Sequence, residues 1–317
     1  MRIVVLTGGI GGARFLRGAR AYAADAGAEV TAVVNVGDDA IMHGLRICPD
    51  LDSVLYTLGG GADPERGWGR ADETWTVADE LSAYGAEPQW FGLGDRDIAT
   101  HLVRTTMLNA GYPLSAVVQA LSARWEPGVR LLPATDERLE THVVVEEDGQ
   151  QRAIHFQEWW VRYRARLTAR RFVFVGAEQA RPAPGVLAAI EAADVVLLAP
   201  SNPVVSIAPI LAVPGLRDAI AGGRAPVVGL SPIIDDTPVR GMADKCLAAV
   251  GTPCTAAGVG GLYGARSADG LLDAWLVDEV DAAAEVPGVA VHAVPLWMTD
   301  DAATAAMVHA ALAAADR

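Results

Sequence analysis

The sequence predicts an α/β fold: a doubly wound, Rossmann-like parallel sheet carrying a helical insertion and a β-hairpin. Three observations support that expectation. The chain opens on a β-branched run that passes through glycines into a helical pattern, MRIVVLTGGIGGARF over Met1 to Phe15. Short apolar runs, of the kind that sit in strands buried on both faces, then alternate with helical periodicity. Between the second such run and the later ones lies a long stretch of helical patterns with no clear strand. The 317 residues read as a single α/β domain, 1–317, with the insertion over about 60–128 and the hairpin over about 140–157.

Taken in order, Ile3–Leu6 is the first strand, and a helix is expected from Ala13 onward. Gly8, Gly9, Gly11 and Gly12 form the turn between them. Glycines there let backbone N–H groups approach a phosphate, and the helix dipole adds its attraction for negative charge. The plainer reading is a turn needed only for tight strand–helix packing. The dinucleotide fingerprint is met in part, because Arg14 stands where its third glycine belongs, and no Lys-Ser or Lys-Thr pair follows to make a P-loop. The second strand, Glu29–Val36, ends near Asn35 and not on a ribose-binding carboxylate, which disfavours a nicotinamide cofactor. Asp38 and Asp39 follow it directly. Leu51, Val54, Leu55 and Leu58 have helical spacing, so Asp50 or Asp52 lies at the start of that helix. Ligands of open parallel sheets bind beyond the carboxyl ends of the strands, so Asp38, Asp39 and Asp52 are expected to face the glycine turn.

The Gly- and Trp-rich stretch Ala62–Thr76 reads as an ordered loop, followed by helical patterns at Thr76–Tyr84, Ile98–Ala110 and Leu114–Trp125. Asp97 and His101 share a helix face at i,i+4, the spacing of a local ion pair. Segments Glu140–Glu147 and Gln150–Gln157 flank Asp148-Gly149, a hairpin signal. In the following HFQEWWVRYRAR, Trp159 and Trp160 are candidates for stacking on a flat heterocycle, with core packing the role expected of at least one. The sheet pattern resumes at Arg171–Gly176, Asp194–Ala199, Pro226–Leu230 and Val289–Val294, interleaved with helices at Gly185–Ala193 and Asp301–Ala315. Strand Asp194–Ala199 ends in the turn Pro200-Ser201-Asn202-Pro203, rich in side-chain donors and acceptors.

Composition narrows the function. With 25 Lys and Arg against 39 Asp and Glu, the net charge is −14, so a nucleic-acid backbone is an unfavourable partner. Three cysteines without metal-ligand spacing fit a reducing, cytoplasmic setting, and no apolar run reaches the length of a membrane span. There is no HExxH pair for zinc hydrolysis and no G-x-S-x-G elbow. Phosphoryl transfer fits best: it needs donors and a cation around the moving group and a carboxylate at the attacking hydroxyl. The glycine turn supplies donors, and Asp38, Asp39 and Asp52 offer hard oxygen ligands for magnesium.

The blocks TGGIGGARF, VNVGDDAIMHG, ICPDLDSVLYTLGG, FGLGDRDIATHLVR, HFQEWWVRYRA, LLAPSNPVVSIAPIL, GLSPII and GMADKCL together resemble the CofD/FbiA family of the deazaflavin coenzyme pathway. The resemblance implies a magnesium-dependent transferase. Such an enzyme moves a phospho-enolpyruvyl or phospho-lactyl group from a guanosine diphosphate conjugate to the terminal ribityl hydroxyl of the deazaflavin Fo. GMP is released and coenzyme F-420-0, or its dehydro form, is made. It further implies that Gly8, Gly9, Gly11 and Gly12 hold the diphosphate and that Ser201 and Asn202 grip the nucleotide. Asp52 is expected to contact Fo and to orient or deprotonate its hydroxyl, with Asp39 as a second catalytic carboxylate. Asp95 and Arg96 are expected to bind Fo, and Asp38, Asp39 and Asp52 to hold the metal. At Gly92 another family member carries Lys, so a side-chain contact to Fo is not expected there. A homodimer is implied, with small molecules as partners. Two readings compete: a nucleotide-sugar-binding regulator of the same fold, which would release no GMP, and, more weakly, an NAD-dependent oxidoreductase, which would bind NADH.

Overall fold

The computed structural model describes residues 1–147 and 149–316. Asp148, half of the expected Asp148-Gly149 turn, lies outside the described residues. The first half of the chain runs β1 (Arg2–Thr7), α1 (Gly9–Ala26), β2 (Glu29–Val34), the short hairpin β3 (Ala40–Met42) and β4 (Leu45–Ile47), then α2 (Pro49–Leu58). Helices α3 (Thr76–Ala83), α4 (Asp95–Asn109) and α5 (Leu114–Trp125) follow, then β5 (Arg130–Pro133), β6 (Glu140–Glu147), β7 (Gln150–His155) and β8 (Thr168–Val175). The second half comprises α6 (Val186–Glu191), β9 (Val195–Leu198), α7 (Ala208–Leu211), α8 (Leu216–Ala221), β10 (Val227–Leu230), β11 (Ile233–Ile234) and β12 (Thr237–Pro238). It ends with α9 (Ala243–Ala249), α10 (Ala256–Tyr263), β13 (Ala274–Val277), β14 (Ala290–Ala293) and α11 (Asp301–Ala315).

Seven strands form the central sheet in the order β14-β13-β10-β9-β1-β2-β5, and every pairing is parallel. Ile3 to Leu6 and Val195 to Leu198 are almost wholly buried, as strands covered on both faces must be. Each such side chain contributes about 1.5–3 kcal/mol on burial. That outweighs the roughly 0.5–1 kcal/mol that each glycine costs inside α1, which is held by Phe15, Leu16 and Ala19 packing into the core. The helix therefore starts at Gly9, not at Ala13 as expected, and takes the glycines into its first turns.

Three differences from expectation share one cause, burial read from too short a window. Segment Arg171–Gly176, expected in the main sheet, belongs to β8, which pairs antiparallel with β6 in a separate three-stranded sheet, β7-β6-β8. Its half-buried Phe172 and Phe174 stand beside exposed arginines, the mark of a strand with one wet face. Strands β5 and β13 were not expected, because four-residue runs resemble helix interiors. The expected hairpin is present as β6 and β7. Between α2 and the return of the chain at β5 come helices α3 to α5; α5 packs on β5, α4 on α5 and the β4 hairpin strand, and α3 on α4. No helix among the described residues is long and apolar enough to cross a membrane.

Candidate functional site

Strands β1 and β9 are neighbours, but the chain leaves β1 toward β2 and leaves β9 toward β10, on opposite sides. Sheet order reverses there, and the crevice beyond the two carboxyl ends is a natural ligand site. It opens into a cavity of about 730 Å³ lined by Gly8, Gly9 and Gly11 after β1 and by Ser201 and Asn202 after β9. Ser201 ties the turns together: its Oγ accepts from the Gly8 N–H at 3.3 Å and donates to the Gly8 carbonyl at 2.8 Å. Asn202 Oδ1 accepts from the N–H groups of Val204 and Val205, capping the π-helical turn Pro203–Ile207. Gly9 has φ +66°, and a Cβ on Gly8 would stand 2.5 Å from Asp50 Oδ2. Gly12 lies outside the cavity lining; a Cβ there would strike Thr7 and Ser201, so its role is close packing. The Gly9 N–H meets the Asp50 carboxylate, and the following N–H groups of the first turn of α1 remain as anion donors.

Next to this cradle, Asn35 is a hub. Its Nδ2 donates to Asp50 Oδ2 at 2.9 Å, to the Val205 carbonyl at 3.1 Å and, at the 3.5 Å limit, to Asp38 Oδ1. Gln157 Nε2 donates to Asp38 Oδ2 at 3.0 Å. Burial raises the pKa of both acids, and the charge of Asp50 raises Asp38 further. Two buried oxygen donors that resist ionising side by side suit a hard divalent cation. Asp39 does not line the cavity. Its carboxylate accepts from Arg46 at 3.1 Å and from the Cys48 thiol at 3.0 Å, and burial, opposed by Arg46, pushes it up to about 6.

Raised acids hold protons in the folded chain that the unfolded chain has already released, so stability falls as pH climbs from their ordinary value through their folded value. Asp38, Asp39 and Asp50 all act in this sense above the ordinary carboxylate range. His155, lowered by burial, opposes them, and Asp281, raised by burial, adds to them. Asp97 is lowered and matters only below its ordinary range. The melting temperature of the metal-free chain is therefore expected to be higher at about pH 5.5 than at about pH 7.5, and magnesium to raise it more at the higher pH. Equal magnesium effects at both values in a thermal melt would remove the Asp38–Asp50 pair as a candidate cation site.

The carboxylate expected to be catalytic, Asp52, sits deeper. Asp52, in the first turn of α2, lines the cavity and is buried. Its Oδ1 accepts from Nη2 of Arg104, a fully buried arginine on α4, while its Oδ2 has no partner. Arg104 Nη1 also donates to His101 Nδ1 at 3.0 Å and to the Arg46 carbonyl at 3.2 Å. An Nδ1 that accepts leaves the proton on Nε2, which lies 3.3 Å from Asp97 Oδ2. Tyr56 donates to Asp97 Oδ1 at 2.5 Å. Burial would raise Asp97, but the bonds from His101 and Tyr56 hold it below the usual range. Asp52, Asp97 and His101 are close enough together to share an ion; Arg104 already supplies a cation to this group.

Thus Gly8, Gly9, Gly11, Ser201, Asn202, Asp38 and Asp52 converge on one cavity. Asp95 and Arg96, expected to bind Fo, do not line it. Asp95 accepts from Thr74 Oγ1 and from the N–H groups of Thr76 and Val77, fastening the start of α3. Arg96 is exposed, with Nη1 3.3 Å from the Ala71 carbonyl and 3.6 Å from Asp72. From that block it is Asp97, with His101 one turn later, that faces inward. Trp159 is core, its Nε1–H bonded to the Leu167 carbonyl at 2.8 Å, whereas Trp160 joins Tyr56, Trp68, Phe91 and Phe156 on the cavity wall. Asn35, Asp50, Gln157 and Arg104 were missed. Polar residues on a buried helix face, His101 and Arg104 beside Ile98 and Thr100, are the signal that could have exposed the last.

The comparisons with known proteins fit this geometry. The family model described as 2-phospho-L-lactate transferase CofD matches residues 3–307. The chain is 64% identical to a phosphoenolpyruvate transferase of Nocardia farcinica over 314 residues, covering 98% of this chain and 94% of that one. It is 61% identical to one of Mycolicibacterium smegmatis over 321 residues, covering 98% of each. Among solved structures it resembles protein BH3568 of Bacillus halodurans, with a TM-score of 0.63 at 20% identity, covering 98% of this chain and 99% of that one; this likeness speaks to fold alone. With a match spanning the sheet, the insertion and the cavity residues, the chain belongs to the CofD family of transferases.

Proposed function

We propose that this chain transfers a phospho-enolpyruvyl group, with phospho-lactyl as the alternative cargo, from a guanosine diphosphate conjugate to the terminal ribityl hydroxyl of the deazaflavin Fo. The choice of enolpyruvate rests on relatives at 61 and 64% identity that carry the name phosphoenolpyruvate transferase. The observation that carries the reading is the single cavity joining a phosphate cradle to a buried carboxylate with one uncommitted oxygen, Asp52 Oδ2.

In an in-line displacement the ribityl oxygen forms a bond to the phosphorus bearing the three-carbon acid. The bond from that phosphorus to the bridging oxygen breaks, and GMP leaves with the electron pair. Asp52 Oδ2 accepts a hydrogen bond from the hydroxyl, aims its oxygen and receives its proton as the new bond completes. Such a transition state asks for positioning and charge stabilisation more than for a strong base, which suits a carboxylate held by Arg104. The glycine turn and Ser201 hold the leaving nucleotide, and the aromatic wall of Tyr56, Trp68, Phe91 and Trp160 receives the flat deazaflavin ring. Asp38 and Asp50 are the residues that would hold magnesium; the bound ion would offset charge on the phosphoryl oxygens.

The test is to mix the chain with magnesium, Fo and the enolpyruvyl donor, then with the lactyl donor, and to analyse products by mass spectrometry. GMP and dehydro-F-420-0 are expected in equal amounts, with a chelator stopping their formation. Product from the lactyl donor alone would reverse the choice of cargo, and no GMP from either donor would reject the reaction.

A further inference from the structure

Among the described residues, the cavity lining includes two arginines and no lysine: Arg14 on α1 and Arg240 in the loop between β12 and α9. Neighbouring arginines have acid partners. Arg17, three residues further along α1, pairs with Asp301 at 2.8 Å, and Arg104 pairs with Asp52. Arg14 and Arg240 have no such partner among the described residues, although four aspartates line the same cavity. Those four are otherwise engaged: Asp38 and Asp50 with Asn35, Asp52 with Arg104, and Asp97 with Tyr56. Arg240 packs against Gly67, where a Cβ would meet its Nη2. It is close enough to Arg14 that burial and then the Arg14 charge lower its pKa.

Two like charges without acid partners lining one cavity, in a chain of net charge −14, are an unfavourable arrangement that an anion from outside would relieve. The glycine turn on the same wall offers backbone donors to such an anion, and guanidinium forks fit carboxylate or phosphate oxygens bidentately. We propose that Arg14 and Arg240 form a two-armed clamp for the anionic oxygens of the donor, closing on the group that the glycine turn receives. The inference rests on the proposed reaction for the identity of the donor. Its chemistry, a phosphate or carboxylate anion, comes from the arginines themselves.

The test uses Arg14→Gln, Arg240→Gln and the double variant, each checked for an unchanged melting temperature. Affinity for GDP is read by calorimetry without turnover, and KM is read separately for donor and for Fo. Each charge-assisted contact is worth about tenfold or more in affinity, so each single variant is expected to raise donor KM by about that factor, and the double variant by more, with KM for Fo unchanged. A parallel fall in GDP affinity places the clamp on the diphosphate, and unchanged GDP affinity with raised donor KM places it on the three-carbon carboxylate. Donor KM and GDP affinity both within about twofold of the parent in the folded double variant would overturn the clamp, as would loss confined to Fo. A parent that binds GDP through these arginines yet transfers nothing would keep the clamp and reject the reaction. A parent that neither binds GDP nor turns over would reject both.

Discussion

Asp52→Asn is expected to lower transfer by about 10²–10⁴-fold, the range for removing a positioned proton acceptor, while GDP still binds. Asparagine keeps the size of the side chain and can still present an oxygen to Arg104. It places an NH₂ group where Oδ2 stands, so the ribityl hydroxyl meets a donor in place of an acceptor. Oδ2 is the oxygen left without a partner, so the loss of turnover is assigned to that acceptor, while removing the charge opposite Arg104 also lowers stability. Single-turnover GMP release measured beside GDP calorimetry separates the two effects. Near-parental release would remove Asp52 from the mechanism. Loss of GDP binding in step with turnover would mean that the substitution disturbs the cradle.

The largest effect on folding is expected from Arg104→Met. The guanidinium is wholly buried and satisfies Asp52, His101 Nδ1 and the Arg46 carbonyl at once. Methionine fills much of the same volume but leaves the Asp52 charge in the interior without its partner. Breaking a buried pair from one side costs about 3–5 kcal/mol, a large share of the roughly 5–15 kcal/mol that holds a typical domain. Because the cost lies in the stranded charge, the double variant Arg104→Met with Asp52→Leu is expected to recover part of the stability, though none of the activity. Denaturant unfolding of parent, single and double variants checks this. A single variant within about 1 kcal/mol of the parent would show that the carboxylate finds other compensation.

How far the sequence disclosed this arrangement depends on the range over which each feature is encoded. Asp52 at a helix start and the strand pattern around Asp194–Ala199 are local and stand where they were expected; the glycines do follow β1, but inside the first turns of α1 and not in a turn before it. Asp38 and Asp39 are chemically alike in sequence; only folding shows that Asp38 lines the cavity and meets Asn35 and Gln157, while Asp39 lies off it and meets Arg46. In the block Gly94-Asp95-Arg96-Asp97, the orientation of α4 decides which residue turns inward. Asp95 serves a neighbouring helix, and Asp97 belongs to the face continued by His101 and Arg104. The Asn35 hub gathers residues 15 and 170 positions away, and such long-range polar contacts leave no periodic trace.

The Arg104–Asp52 contact joins α2, which packs on α1, to α4, one of the helices inserted before β5. A slight sliding of the inserted helices would be transmitted through the guanidinium of Arg104 to Asp52, the acid proposed to meet the acceptor alcohol. Damage to the bundle's seating and damage to turnover should therefore travel together across variants in α4, so that heat tolerance and rate become correlated traits at this seam while remaining independent at the far edge strands.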